Sequence, residues 1–153
     1  MSGHTCTGEL AEEIQSVEIS YFIHATEDPG RISRAVAERF GLSQPPELED
    51  LEGHFGNKIV HVRYHLTGHE AMTTFRGIVS FIGSEGVQEL LAGLELTMDE
   101  RKALYIRFSK QEFLKGVPVL SSVDPIRVKV KPRGFMIRGD AREFYARLMG
   151  EAG

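Results

Sequence analysis

The sequence predicts a two-layer α+β domain: a mainly antiparallel or mixed sheet with helices packed on one face. Three observations carry this. The apolar residues of four segments alternate with polar ones at period two, the pattern of strands with one face buried and one in water. Between them lie segments whose apolar residues recur at helical spacing. No strand segment is continuously apolar, as a parallel sheet covered on both faces requires. The chain has 153 residues, 41% of them apolar and 26% charged, which suits a single globular domain. Residues 1–14 read as a leader and 15–150 as the domain.

The first strand runs from Val17 to His24. Val17, Ile19, Tyr21 and Ile23 share one face; Glu18, Ser20, Phe22 and His24 share the other. A helix follows over Pro29–Phe40, with proline at its first position and Ile32, Val36 and Phe40 inward. Gly41 stops it. The acidic stretch from Glu47 to Glu52 reads as a connector or short edge segment. Lys58–Leu66 is the second strand, with Val60, Val62, Tyr64 and Leu66 facing in. Thr67 and Gly68 turn the chain. His69–Ile82 is helical through Met72, Phe75, Val79 and Ile82, and Gly83 and Gly86 interrupt it. Val87–Leu94 resumes the helix.

Ala103–Phe108 is the third strand, with Leu104, Ile106 and Phe108 inward and Tyr105 and Arg107 outward. A short helix follows over Ser109–Leu114, and a further strand is expected near Pro118. Ile126–Lys131 is the last strand. Asp140 caps a final helix over Ala141–Met149, whose Phe144, Leu148 and Met149 form the buried stripe.

Charge is unevenly spread. Residues 101–153 hold 12 Lys/Arg and 5 Asp/Glu, and residues 1–100 hold 6 and 17. A formal charge of −4 and a pI near 5.9 conceal that division. In the last strand Arg127, Lys129 and Lys131 alternate with Ile126, Val128 and Val130, which puts the three cations on one face. If the third strand lies nearby, Tyr105 and Arg107 join them, and an aromatic ring among cations suits an unpaired base beside phosphates. Lys110, just past the third strand, and Arg133, just past the last, are candidate phosphate contacts. Arg138, Arg142 and Arg147 extend the basic region. The alternative is a solvated strand whose cations discourage edge-to-edge pairing.

Other chemistry is sparse. There is no phosphate-binding glycine loop and no serine elbow, and no cysteine is placed for attack. The Asp residues sit at caps and turns. His61 and His65 are four apart on a strand, about 13 Å, too far to share one metal ion. His54, in the Gly-His-Phe-Gly-Asn loop, reads as a turn residue or a ligand contact. No catalytic residue, metal or cofactor is therefore expected. A single cysteine, Cys6, excludes an internal disulfide and fits a reducing compartment. Residues 1–13 have no secretory pattern, and no apolar run reaches the roughly 18 residues of a membrane span. The expected location is the cytoplasm.

Three phrases carry a resemblance. They are Tyr21-Phe-Ile-His-Ala-Thr-Glu-Asp28, Leu51-Glu-Gly-His-Phe-Gly-Asn-Lys-Ile59, and Leu104-Tyr-Ile-Arg-Phe-Ser-Lys-Gln111 followed by Asp124-Pro-Ile-Arg-Val-Lys-Val-Lys131. The chain resembles, over roughly residues 17–148, the archaeal family of predicted RNA-binding proteins or predicted exosome subunits, formerly a domain of unknown function. The resemblance implies a fold like that of ribosomal protein L5, RNA as a partner, and protein partners in an RNA-processing complex. A double-stranded-RNA-binding domain would place a lysine cluster at a helix start, whereas the helix from His69 has only Arg76 nearby. The other reading is an adaptor or homodimer that uses the free sheet face, with Phe22 and Tyr105 as anchors. A metal-dependent hydrolase is a third.

Overall fold

The computed structural model describes residues 13–133 and 140–152. Its elements are β1 (Ile14–His24), α1 (Pro29–Phe40), β2 (Glu47–Glu52), β3 (Lys58–Thr67), α2 (Gly68–Ala92), α3 (Leu94–Thr97), β4 (Leu104–Ser109), α4 (Lys110–Leu114), β5 (Pro125–Pro132) and α5 (Ala141–Ala152). The strands form one open sheet in the order β2-β3-β1-β5-β4. Every neighbouring pair is antiparallel. The expected mainly antiparallel, two-layer α+β architecture is what the chain adopts.

The alternation of β1, β3, β4 and β5 dictates this arrangement. Val17, Ile19 and Tyr21, Val62, Tyr64 and Leu66, Leu104, Ile106 and Phe108, and Ile126, Val128 and Val130 are all buried on one face. The helices cover that face and no other. α1 contributes Ile32, Val36 and Phe40; α2 contributes Phe75, Ile78 and Ile82; α5 contributes Tyr145, Leu148 and Met149. α2 lies on β1 and β3 and packs against α1 and α5. Four phenylalanines, Phe40, Phe81, Phe108 and Phe113, meet edge to face or tilted, with centroids 5.0–6.2 Å apart. Such pairs add about 0.5–1.5 kcal/mol each beyond burial.

Local chemistry sets the boundaries. Asp28 caps α1 by accepting from the Gly30 N–H at 3.0 Å, and Gly41 ends it in the left-handed region at φ 65°. Gly83 (φ 74°, ψ 175°) breaks the helical path inside α2; Gly86, also expected to interrupt it, stays helical. Asp140 caps α5 by accepting from Arg142 N–H at 2.9 Å.

The acidic segment is the edge segment of the two alternatives expected for it, a true strand β2 whose six residues are all exposed. Two expectations shift. The stretch near Pro118 is not a strand but a strap along the outer edge of β4. Ser109 N–H donates to Val119 C=O at 2.7 Å and Ser121 N–H to Arg107 C=O at 2.9 Å. Residues 1–12 of the leader lie outside the described residues, as does Cys6. Glu13 and Ile14 belong to the fold: both are buried, and Glu13 pairs with Arg147 at 2.8 Å.

Lys110 departs most. Expected to reach outward, it is 2% exposed. Its ammonium donates to Phe22 C=O at 2.7 Å and Glu27 Oε1 at 2.9 Å, and pairs with Asp124 Oδ2 at 2.9 Å. The cause is position: as the first residue of α4 its side chain turns under the ends of β1 and β5. Three segments distant in sequence are thereby tied at one corner of the sheet.

Lys110→Met keeps the length and apolar stem but removes those bonds. With both carboxylates partly exposed and screened, the expected loss is about 1–3 kcal/mol, read as a lower urea midpoint. Burial pushes the Asp124 carboxyl up, but hydrogen bonds from Lys110 and His24, and their charges, outweigh it and hold it below the ordinary 3.8. A depressed carboxylate contributes stability above its unfolded pKa and loses it as pH falls through the folded one. Wild type should therefore lose stability below about pH 4, and Lys110→Met should lose less there. A parallel decline in both proteins would contradict this.

Candidate nucleic-acid interface

The uncovered face of the sheet is laid out by strand register. Tyr105 of β4 stands opposite Lys129 of β5, which stands opposite Glu18 of β1, which stands opposite His65 of β3. The next row is Arg107, Arg127, Ser20, Arg63 and Glu47. The row beyond includes Phe22, His61 and Glu49. Lys131 lies opposite Ser16 at the other end. Period two alone sends each of these side chains to the bare face.

β4 and β5 are direct neighbours, so Tyr105 and Arg107 do stand beside Arg127 and Lys129. The ring of Tyr105 is ringed by cations: Arg127 lies 5.0 Å from its centroid, Arg107 5.2 Å and Lys129 5.6 Å, all within cation–π range. Its hydroxyl donates to Asp99 Oδ2 at 3.2 Å. Burial works against ionisation of Asp99, yet N–H bonds from Ala103 and Arg101, the Tyr105 hydroxyl and the charge of Lys129 keep its carboxyl below the usual value. Tyr105 is thus a post around which three cations are ordered.

A depression of about 250 Å³ opens beside them, lined by Glu18, Ser20, His61, Arg63, Arg127 and Lys129. Three cations and a hydroxyl face one carboxylate there. Arg63 also bonds Glu47 across the strands at 2.9 Å; both are exposed, so the pair is weak and exchangeable. Next to the depression Phe22 stacks on His61, with centroids 4.7 Å apart and planes 26° apart. Phe22 is 42% exposed.

Of the other expected cations, Lys110 and the helix arginines lie off this face. Lys110 is buried under the corner of the sheet and cannot reach the face. Arg133 follows β5, where its N–H donates to Glu13 C=O at 2.9 Å. Arg142 and Arg147 stand on α5, in the helix layer on the packed side, and Arg147 pairs with Glu13. Arg138 lies outside the described residues. The basic excess of residues 101–153 is therefore divided between two sides of the molecule. Sequence reasoning had Phe22 on the bare face but did not join His61 and Arg63 to the cations. The signal was present: His61, Arg63 and His65 are the polar positions of an alternating strand.

His24, Glu27 and Asp124 bring ligand atoms within 4.8 Å of one another. The Lys110 ammonium, bonded to both carboxylates, already supplies the positive charge there, so a metal ion would have to displace it.

A five-stranded antiparallel sheet with helices on one face and cations and aromatic rings on the other defines the class of protein: a two-layer α+β domain with one bare sheet face. Residues 16–132 match the family model described as RNA binding, and the chain belongs to that family. It is 30% identical over 139 residues to RNA-binding protein PAB1135 of Pyrococcus abyssi, covering 84% of this chain and 88% of that protein. It is 30% identical over 122 residues to the uncharacterized protein MJ0213 of Methanocaldococcus jannaschii, covering 74% and 81%. Among solved structures, protein AF2318 of Archaeoglobus fulgidus superposes with a TM-score of 0.74 at 28% identity, covering 89% of this chain and 99% of that one. A Sulfolobus solfataricus protein, SSO0741, has a TM-score of 0.71 at 23% identity, covering 88% and 97%, which speaks for the fold.

Glu18 is the one carboxylate lining the depression. Glu18→Gln removes a charge worth about 1 kcal/mol to an anion 4 Å away in water. The variant should elute from a heparin column at higher salt than wild type; earlier or equal elution would show that polyanions do not meet this face.

Proposed function

We propose that this chain is a non-catalytic RNA-binding protein that takes RNA on its bare sheet face, in the cytoplasm, in RNA processing or ribosome- or exosome-linked work. The observation that carries the reading is the contiguous set Arg63, Arg107, Arg127 and Lys129, with Lys131 beside it, on a face no helix covers. The family's description and the name of the Pyrococcus abyssi relative, both speaking of RNA binding, support RNA over other polyanions. Tyr105 orders the cations, and Arg133 continues the basic strand beyond the sheet. Partners in a larger complex would approach from elsewhere on the molecule.

Four or five phosphate contacts give a salt slope of about −3 to −4 on single strands. Fluorescence anisotropy at two salt concentrations measures it directly. Arg127→Glu/Lys129→Glu should weaken binding by at least about tenfold and flatten the slope. Affinity unchanged by that double substitution would refute the reading.

The acidic edge favours a second reading. β2 carries Glu47, Glu49, Asp50 and Glu52, all exposed, and its outer side pairs with no strand among the described residues. One copy could set this edge against the basic rim of another. Light scattering should then show dimers at low salt that dissociate at high salt; a monomer at both ends self-association.

A further inference from the structure

The bare face carries an aromatic pair, Phe22 and His61, beside its cations. Resting on the RNA reading above, we infer that the ligand is single-stranded RNA, with one unpaired base seated on the Phe22–His61 pair and an adjacent phosphate in the depression of Ser20, Arg63, Arg127 and Lys129. Phe22 has no part in the core. It occupies a polar position of the central strand, where any water-compatible side chain would satisfy the fold. Instead an apolar ring is 42% exposed and stacked on a second ring at 4.7 Å. Stacking on His61 orients the pair and leaves an outward ring surface open.

Tyr105 is the less suitable seat. Its π-system is shared among Arg107, Arg127 and Lys129, and its hydroxyl is held by Asp99. The two aromatic sites thus divide the work: Tyr105 gathers cations and Phe22–His61 offers a surface. Phe22 and His61 lie one face position, two residues along the strand, from Ser20 and Arg63. That is about 6.7 Å, within the reach of one nucleotide from base to phosphate.

The seat is also held still. The Phe22 carbonyl accepts from the buried Lys110 ammonium at 2.7 Å, which fixes the end of β1. Lys110 is therefore a positioning residue for the seat, though it touches no ligand. A duplex hides its base faces, so this arrangement selects unpaired strands.

The test uses the full chain and four probes at fixed salt: a short oligoadenylate, the same oligomer with abasic sites, a duplex of equal length, and inorganic polyphosphate. Phe22→Ala should weaken oligoadenylate binding by about 5- to 150-fold, the effect of one stacked base. It should leave the salt slope and the affinity for polyphosphate and abasic oligomer unchanged. Phe22→Tyr, which keeps the ring, should restore binding. Because Phe22 is outside the core, the melting temperature should hold; Phe22→Leu, which keeps the apolar bulk without the ring, should lose binding as Phe22→Ala does.

If Phe22→Ala and Phe22→Leu bind oligoadenylate as wild type does, or if duplex binds as well as single strand, the base seat is overturned. Should Arg127→Glu still abolish binding in that case, RNA on this face stands without a seat. If Arg127→Glu is also without effect, both readings fail together.

Discussion

A sheet whose strands alternate strictly has one face to bury, and here α1, α2 and α5 crowd onto that face. Burying side chains such as Val17, Ile19, Val128 and Phe108 contributes about 1.5–3 kcal/mol apiece. Nothing else among the described residues approaches that sum, so the helices go where the apolar face is and the opposite face stays bare. The composition of that second face is then free of folding demands. Any pattern on it beyond mere solubility has to be explained by what it meets.

The bare face is patterned. Its cations crowd toward β4 and β5, with Arg63 reaching in from β3, while its acids cluster on β2 at the opposite edge. Lys110 joins this division to the core. Its buried ammonium pairs with the partly exposed Glu27 and Asp124, which offsets two carboxylates at the rim next to the basic strands. It also ties the end of β1, and so the place of Phe22, to the start of α4. A residue that contacts no phosphate thereby affects both the charge and the rigidity of the surface that would.

Most of the fold was legible because its forces are local in sequence. Period two in Ile126–Lys131 named the side of each residue, and Asp28-Pro29 and Gly41 marked the ends of α1 through capping and backbone geometry. β2 was harder to see because it buries nothing: with all six residues exposed, no hydrophobic period distinguishes it from a connector. Gly86 reads as a break by helix propensity, yet it stays helical, at a place where a side chain would collide with Ile82 Cγ2. The site was half legible. Alternation put Arg107 and Arg127 on one face, but only register shows that they are directly opposed. The fates of Lys110 and Arg147 were hidden, because each part-buried ion pair depends on a partner far away in sequence, 83 and 134 residues respectively.

Affinity and selectivity on such a surface have different sources. Exposed cations attract any polyanion, with a strength set by salt rather than by sequence. Glu18 inside the depression, with Glu47 and Glu49 along its far side, opposes that attraction. A surface optimised for charge alone would have no use for these acids, nor for a phenylalanine half in water. Their joint presence fits a face where electrostatics supplies approach and a ring contact decides what stays. On the RNA reading, the carboxylates would lower the general affinity for phosphate, so the share of binding that depends on an unpaired base would be larger.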